Sequence, residues 1–252
     1  MNAAPRPVCL VTGGAKRIGR AIVEALAGDF DIAIHANRSL AEADALANEI
    51  ATTGVRAAAF AADFSDPESA ARLVDQAAAY FGRLDLLVNS ASRFEYDSPS
   101  EFSAVKMQEM LSVNLVAQVA AARAFGNVGS PSATLINILD NKVFAPNPDF
   151  FSYSLAKFAL KGATEMLAQH FRGRMRVCGI APSNTLISGD QTDDTFAQGW
   201  ARTLTGSGPT PADIASTIRF IWSTKSVNGE IIVLDGGQRL MSLERDVAFL
   251  SE

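Results

Sequence analysis

The sequence predicts an α/β domain: a doubly wound parallel sheet of about seven strands with helices on both faces. Three observations lead there. Short apolar runs alternate with segments of helical period along nearly the whole chain, the runs are apolar at consecutive positions, and a glycine-bearing bend joins the first run to the first helical segment. Consecutive apolar positions mark strands buried on both faces, as a parallel sheet sandwiched between helices requires. The 252 residues, 48% of them hydrophobic, can fill one large core, so a single domain over 1–252 is expected.

In chain order the strand candidates are VCLVT (8–12), DIAIHA (31–36), RAAAFAA (56–62), LDLLVNS (84–90), ATLINIL (133–139), MRVCGIA (175–181) and EIIVLD (230–235). Each is short, bounded by turn residues, and most are rich in β-branched side chains. Between them, GRAIVEALAG (19–28), LAEADALANEIATTG (40–54), DPESAARLVDQAAAYFG (66–82), the long 105–127 segment and YSLAKFALKGATEMLAQHF (153–171) carry a helical period. Two stretches stand outside the alternation, 141–151 (NKVFAPNPDFF) and 183–209. Both follow strands, and sheets of this kind bind ligands at the carboxyl ends of their strands. The second stretch is long enough to form a lid with a helix of its own. No linker, low-complexity segment or repeat divides the chain.

Composition removes several function classes. A net charge of −5 provides no extended basic surface, so nucleic acid is not an expected partner. No run of eighteen apolar residues occurs and the first residues show no targeting pattern, so a cytoplasmic protein without membrane attachment is expected. Cys9 and Cys178 lie inside apolar runs and read as buried strand residues rather than a metal or redox pair. His35 and His170 have no metal-ligand spacing and no G-x-S-x-G elbow exists, so no metal site and no hydrolase are expected. His35 reads as a strand-end residue.

The bend TGGAKRIG (12–19) brings Gly13, Gly14 and Gly19 to the start of the first helix, where free N–H groups and the positive dipole end suit a pyrophosphate. At the end of the second strand a carboxylate would grip a free ribose 2′-hydroxyl. HANRS (35–39) has Arg38 and Ser39 there instead, and Arg17 in the bend adds a second guanidinium. Planar guanidinium forks suit a 2′-phosphate, so NADPH is expected over NADH; two solvated surface arginines are the other reading.

Tyr153 and Lys157 are one helical turn apart and leave the same helix face. A free tyrosine titrates near 10, so proton exchange near neutrality asks for a lowered pKa, worth roughly 3 to 4 kcal/mol. A nearby ammonium supplies that in a partly dry site, so Lys157 is expected to lower the pKa of Tyr153. An exposed helix pair is the alternative for these two residues alone.

The glycine bend, Asp63 after the third strand, NSA (89–91), Asn114 in the long helix, Y-x-x-x-K (153–157) and LDGGQ (234–238), in this order, resemble the short-chain dehydrogenase/reductase family, with its Rossmann-like fold, from Val8 to Leu240. The resemblance implies that Gly13, Arg17, Ile18 and Gly19 cradle the cofactor, with Asn37, Arg38 and Ser39 at its adenosine ribose. It further implies Asp63 at the adenine edge, Asn89 and Ala91 along the adenosine side, Ser92 within reach of a cofactor phosphate or the substrate, and Pro182, Thr185 and Leu186 beside the nicotinamide. Lys157 would hold the nicotinamide ribose, Asn114 a proton-relaying water, and the assembly would be a homotetramer supported by the apolar helices 105–126 and 153–171. The tail RLMSLERDVAFLSE (239–252) would cover a neighbouring subunit or fray.

Most members of that family carry a serine thirteen residues before the tyrosine, hydrogen-bonded to a substrate carbonyl; here the residue is Asp140. An ionised carboxylate only accepts hydrogen bonds and repels an oxygen gaining negative charge, which disfavours ketones. A ring C=N bond that must gain a proton on nitrogen finds an acid–base partner in the coupled Asp140 and Tyr153. This substitution, the arginine in TGGAKRIG, HANRS and NSASRF (89–94) are similar to pteridine reductases and bacterial dihydromonapterin reductases. The substrate set then comprises Arg17, Ser92, Phe94, Asp140 and Tyr153. Phe94 stacks a flat heterocycle against the nicotinamide, or else belongs to the core. Arg93 and PSNTLIS (182–188) depart from the pattern at the substrate wall. The expected function is NADPH-dependent reduction of a dihydropterin C=N bond. The alternatives are a carbonyl or imine reductase of another substrate, such as a 3-oxoacyl thioester, and a non-catalytic NADPH-binding sensor.

Overall fold

In the computed structural model, which describes residues 5–187 and 192–249, seven strands form one sheet in the order β3-β2-β1-β4-β5-β6-β7, all pairs parallel. They are β1 Val8–Thr12, β2 Asp31–Ala36, β3 Ala57–Ala61, β4 Leu86–Asn89, β5 Ala133–Ile138, β6 Met175–Pro182 and β7 Ile231–Leu234. Each lies inside, or within one residue of, an apolar run read from the sequence. The chain winds outward through β1, β2 and β3, then crosses back to β4, so strand order reverses between β1 and β4. A crevice opens at that point on the carboxyl side of the sheet.

Alternation along the strands explains the runs. Val8 and Leu10 face one layer while Cys9 and Val11 face the other, and all four are fully buried. The first layer packs on α3 (Pro67–Phe81), α5 (Ala117–Val128) and α6 (Phe151–His170), through Val74, Phe81, Ala121 and Phe125. The second packs on α1 (Arg17–Leu26), α2 (Leu40–Ala51) and α8 (Pro211–Ser223), through Ile22, Leu26, Leu46 and Ile218. Cys9 and Cys178 are buried free thiols in β1 and β6. No helix among the described residues is long and apolar enough to cross a membrane.

Two elements differ from the sequence-based expectation. The long helical segment 105–127 is broken: α4 (Ala104–Leu111) and α5 are joined by a π-helical turn, Ser112–Val116. That turn holds Asn114, and single π turns are characteristic of functional positions. Helix α8 was not anticipated. Thr210 and Asp213 cap its first turn reciprocally, with Pro211 at the first helical position. The expected helix within 183–209 is α7 (Asp193–Ala201); residues 188–191 of that stretch lie outside the described residues.

The glycine bend is fixed from β2. The N–H of Gly13 donates to His35 Nδ1 at 3.0 Å and that of Gly14 to the His35 carbonyl at 2.9 Å. His35 Nε2 lies 3.1 Å from the Ala62 carbonyl, and the ring stacks on Phe64 at 4.4 Å. A carbonyl on one side and an N–H on the other assign the ring proton to Nε2 and keep the imidazole neutral. Burial lowers the His35 pKa to about 4, outweighing the Ala62 hydrogen bond, which raises it. Between this value and the ordinary 6.5 the unfolded chain binds the extra proton. The contribution is therefore complete above pH 6.5 and lost as pH falls towards 4. Urea titrations of the wild type should show a loss of about 2 to 4 kcal/mol from this group over that window, and His35→Gln should flatten the slope; an unchanged slope would contradict the neutral latch.

Candidate active site

A cleft of about 1060 Å³ opens over the β1/β4 reversal. Its floor on the bend side is Gly13, Arg17, Ile18 and Gly19, facing Ala91 and Ser92 after β4. Gly13 has φ +66°, and a Cβ there would stand 2.9 Å from Ala91 Cα, so the two loops meet backbone to backbone. A Cβ on Gly19 would run into the Gly13 carbonyl, which lets the helix start directly behind the bend. Arg17 also has positive φ, +53°, at the position where a glycine is usual. Pro182, Thr185 and Leu186 after β6 form the opposite side.

The expected adenosine-side residues divide. Asn37, Arg38 and Asp63 are exposed beyond the cleft lining, with Asn37 Nδ2 donating to Asp63 Oδ1 at 3.1 Å. Ser39, half-buried, occupies the N-cap of α2. These four make a polar rim at the ends of β2 and β3. Asn89 is not part of the cleft lining: its side chain is buried and donates to Asn137 Oδ1 at 2.9 Å and to the Gln118 carbonyl at 3.3 Å. It ties β4 to β5 and α5.

Asn114 lies in the π turn, fully buried. Its Oδ1 accepts from Ser92 Oγ at 2.8 Å and from the Arg93 N–H at 3.0 Å, while Nδ2 donates to the Arg93 carbonyl at 2.9 Å. The side-chain amide thus clamps the loop that carries Ser92, Arg93 and Phe94.

Tyr153 and Lys157 stand on the buried face of α6, at 6% and 3% exposure, and both line the cleft. The N-cap position of this helix, Phe150, offers no side-chain acceptor and has φ +54°. Asp97 takes over: its Oδ1 accepts from the Ser152 N–H at 3.0 Å, and its Oδ2 from the Ser152 hydroxyl. A carboxylate there also complements the helix dipole. Asp140 follows β5 and is half-buried; its Oδ1 accepts from the Lys142 N–H at 2.9 Å, and its Oδ2 from Tyr153 Oη at 3.0 Å. The aspartate and the tyrosine therefore meet at hydrogen-bonding distance inside the cleft.

Electrostatics reverse one expectation. Burial, then the charge of Asp140 and the hydrogen bond to it, raise the Tyr153 pKa well above its ordinary value. Lys157 does not lower it: the ammonium donates to the Ile138 carbonyl at 2.8 Å and lies 5.6 Å from the centre of the tyrosine ring. Burial lowers Lys157 itself to about 8, opposed by Asp140. Burial raises Asp140, against the opposing pull of Lys142. Without ligands the phenol is protonated at neutral pH.

The far wall is aromatic. Phe94 stacks on Phe150 at 4.2 Å and meets Tyr153 edge-on at 4.7 Å, which leaves one ring face for a ligand. Sequence reasoning missed Phe150, Tyr96, Lys142, Arg245, Asp246 and Phe249, all of which line the cleft. The aromatic and proline content of 141–151 signalled a rim. Nothing in the tail signalled that, through Phe249, it packs over the cleft of its own chain; residues 250–252 lie outside the described residues.

A cleft at a strand-order reversal, with a protonated tyrosine and a lysine one turn apart inside it, is the layout of oxidoreductases that use a bound dinucleotide. The chain belongs to the short-chain dehydrogenase family, whose model matches residues 7–195. It is 32% identical to an uncharacterised oxidoreductase of Methylorubrum extorquens over 92% of this chain and 97% of that one. It is 28% identical to pteridine reductase 1 of Leishmania tarentolae, over 93% and 96%. Among solved structures it is similar to FolM alternative dihydrofolate reductase 1 of Brucella suis in complex with NADP, at 40% identity and TM-score 0.89, covering 93% of this chain and 95% of that one.

The lysine assignment is measurable without a substrate. In protein carrying 13C-labelled lysine, one side chain should titrate near 8 rather than 10.5. Asp140→Asn should lower that midpoint further by removing the favourable charge; an upward move would contradict the geometry.

Proposed function

We propose that this protein is an NADPH-dependent reductase that adds hydride to a ring C=N bond of a dihydropterin or a closely similar nitrogen heterocycle. The observation that carries the reading is the hydrogen bond from Tyr153 Oη to Asp140 Oδ2, at the position where the family usually places a serine. Similarity to the NADP-complexed FolM structure and to a pteridine reductase supports it.

The residues fit a dinucleotide. The Gly13–Gly19 bend, the helix start behind it and Arg17 offer N–H groups and positive charge to a pyrophosphate. Arg38 and Ser39 on the rim, with no carboxylate between them and Glu42, suit a 2′-phosphate. Thr185, Leu186 and Lys157 line the same cleft, where the first two would wall the nicotinamide end and Lys157 would hold its ribose. When bound, NADPH supplies the hydride. The chain's part is the proton: the ring nitrogen takes one from the Tyr153–Asp140 pair, the C=N π bond becomes one C–H and one N–H bond, and the pair is refilled from solvent. Phe94, Ser92 and Arg17 line the cleft, where the free face of Phe94 would stack on the flat ring and Ser92 and Arg17 would meet its polar edge. Exposed Val105, Val116, Leu155 and Met166 on α4, the π turn and α6 support a homotetramer, and α7 serves as a lid.

The deciding assay follows NADPH oxidation with dihydrobiopterin, dihydromonapterin, dihydrofolate and a 3-oxoacyl thioester in parallel; turnover of the thioester alone removes the pterin reading. Asp140→Ser should lower pterin reduction by about a hundredfold or more while the NADPH dissociation constant changes little. Equal loss of both would make the residue structural. Arg38→Ala should weaken NADPH by about tenfold and leave NADH nearly unchanged, measured by fluorescence titration; unaltered selectivity would count against the phosphate clamp.

A further inference from the structure

The segment after β7 returns across the mouth of the cleft, and none of the roles above uses it. Arg245 grips Asp149 with two nitrogens, Nε to Oδ2 at 2.8 Å and Nη2 to Oδ1 at 2.9 Å, and the Asp246 N–H donates to the same carboxylate at 2.8 Å. Asp246 Oδ2 meets Lys142 Nζ at 2.6 Å, with the two side chains only 14% and 8% exposed. Lys142 also donates to the Asp149 carbonyl at 3.2 Å and lies over the Phe150 ring at 4.6 Å. Phe249 completes the wall against Tyr96 at 5.0 Å.

Lys142 is two residues from Asp140, and its own N–H holds Asp140 Oδ1. Whatever fixes the Lys142 side chain therefore fixes the turn that aims the carboxylate at Tyr153. A buried ion pair is a weak stability device, because apolar residues of the same volume often serve as well. Its direction and charge are what an apolar pair cannot supply.

We propose that Asp246, acting through Lys142, is a positioning residue for the Asp140–Tyr153 pair, and that residues 243–249 form the substrate wall of their own chain's cleft. This rests on the reading that the pair delivers the substrate's proton. The charged and titratable groups facing Asp140 are Lys142 on its own turn, Tyr153 and Lys157 on α6, and Asp246 on the returning segment. Lys142 favours the ionised carboxylate and Asp246 the protonated one; Asp246 also helps keep the proton on Tyr153. Removing either member leaves the other uncompensated, so the two removals act in opposite directions.

The test uses full-length wild type, Asp246→Asn, Lys142→Gln and the double variant, each first checked for NADPH binding. The 13C-carboxyl resonance of Asp140, assigned by its loss in Asp140→Asn, gives a midpoint that needs no substrate. Asp246→Asn should move it down by about half a pH unit or more and Lys142→Gln up by a similar amount, with the double variant near wild type. The pH limb of dihydropterin turnover should follow, with KM raised about fivefold or more in both single variants. Midpoints that stay put, or move together, overturn the positioning role whatever the turnover. Midpoints that split in a protein inactive on every dihydropterin would uphold it and strike the substrate reading instead.

Discussion

A buried phenol and a half-buried carboxylate 3.0 Å apart do not both ionise near neutral pH, and the rest of the site is arranged around that constraint. The sequence points to a lysine that pulls the proton off the tyrosine. The structure puts the stronger influence on the other side: Asp140 and burial hold the proton on Tyr153, while the Lys157 ammonium spends a hydrogen bond on the Ile138 carbonyl. The resting site therefore has a proton to give. A site that holds its proton at rest suits giving one to an acceptor that grows more basic as hydride arrives better than it suits taking one from an alcohol.

The contact depends on two elements that the fold does not otherwise force together. Asp140 lies two residues past β5, Tyr153 lies in the first turn of α6, and an irregular stretch with one short 3₁₀ turn separates them. Apolar packing alone sets such a distance loosely. Directional bonds set it here: the Lys142 N–H on one carboxylate oxygen, Asp97 on the first turn of α6, and Asn114 on the loop carrying Phe94. Each contributes about 1 kcal/mol net, little for a domain of this size, yet displacements of an ångström matter to proton and hydride transfer. Their importance lies in geometry more than in stability.

Much of this was legible in the sequence because it is local. The strands show as consecutive apolar runs, since both sheet faces are covered, and Tyr153 and Lys157 show as a one-turn pair. Asp140 stands out by its residue type. The π turn at Ser112–Val116 was not legible, because one extra residue in a turn leaves the apolar period of 105–127 nearly unchanged. Helix α8 was missed although Thr210 and Asp213 spell its cap. Asn89 follows the family pattern, but which way a side chain turns depends on Asn137 and Gln118, distant in sequence. The wall from Arg245 to Phe249 joins residues nearly a hundred positions from their partners, such as Arg245 and Asp149, and no local pattern reports such a pairing.

Backbone strain falls in the same places. Among the described residues four non-glycines have positive φ, and two of them, Arg17 and Phe150, line the cleft. A left-handed conformation costs an L-residue about 1 to 2 kcal/mol, and glycine would remove that cost at either position. Glycine would also remove a guanidinium beside the glycine bend and a ring that stacks on Phe94 and carries the Lys142 ammonium on its face. The surrounding bonds hold Phe150 in place: Asp149 is gripped by Arg245, and the carbonyl of Asp97 accepts from the Phe151 N–H at 3.1 Å. The chain thus tolerates unfavourable backbone where a side chain faces the cleft, and at Phe150 this ties the strained ring, the returning segment and the proton-bearing pair into a single unit.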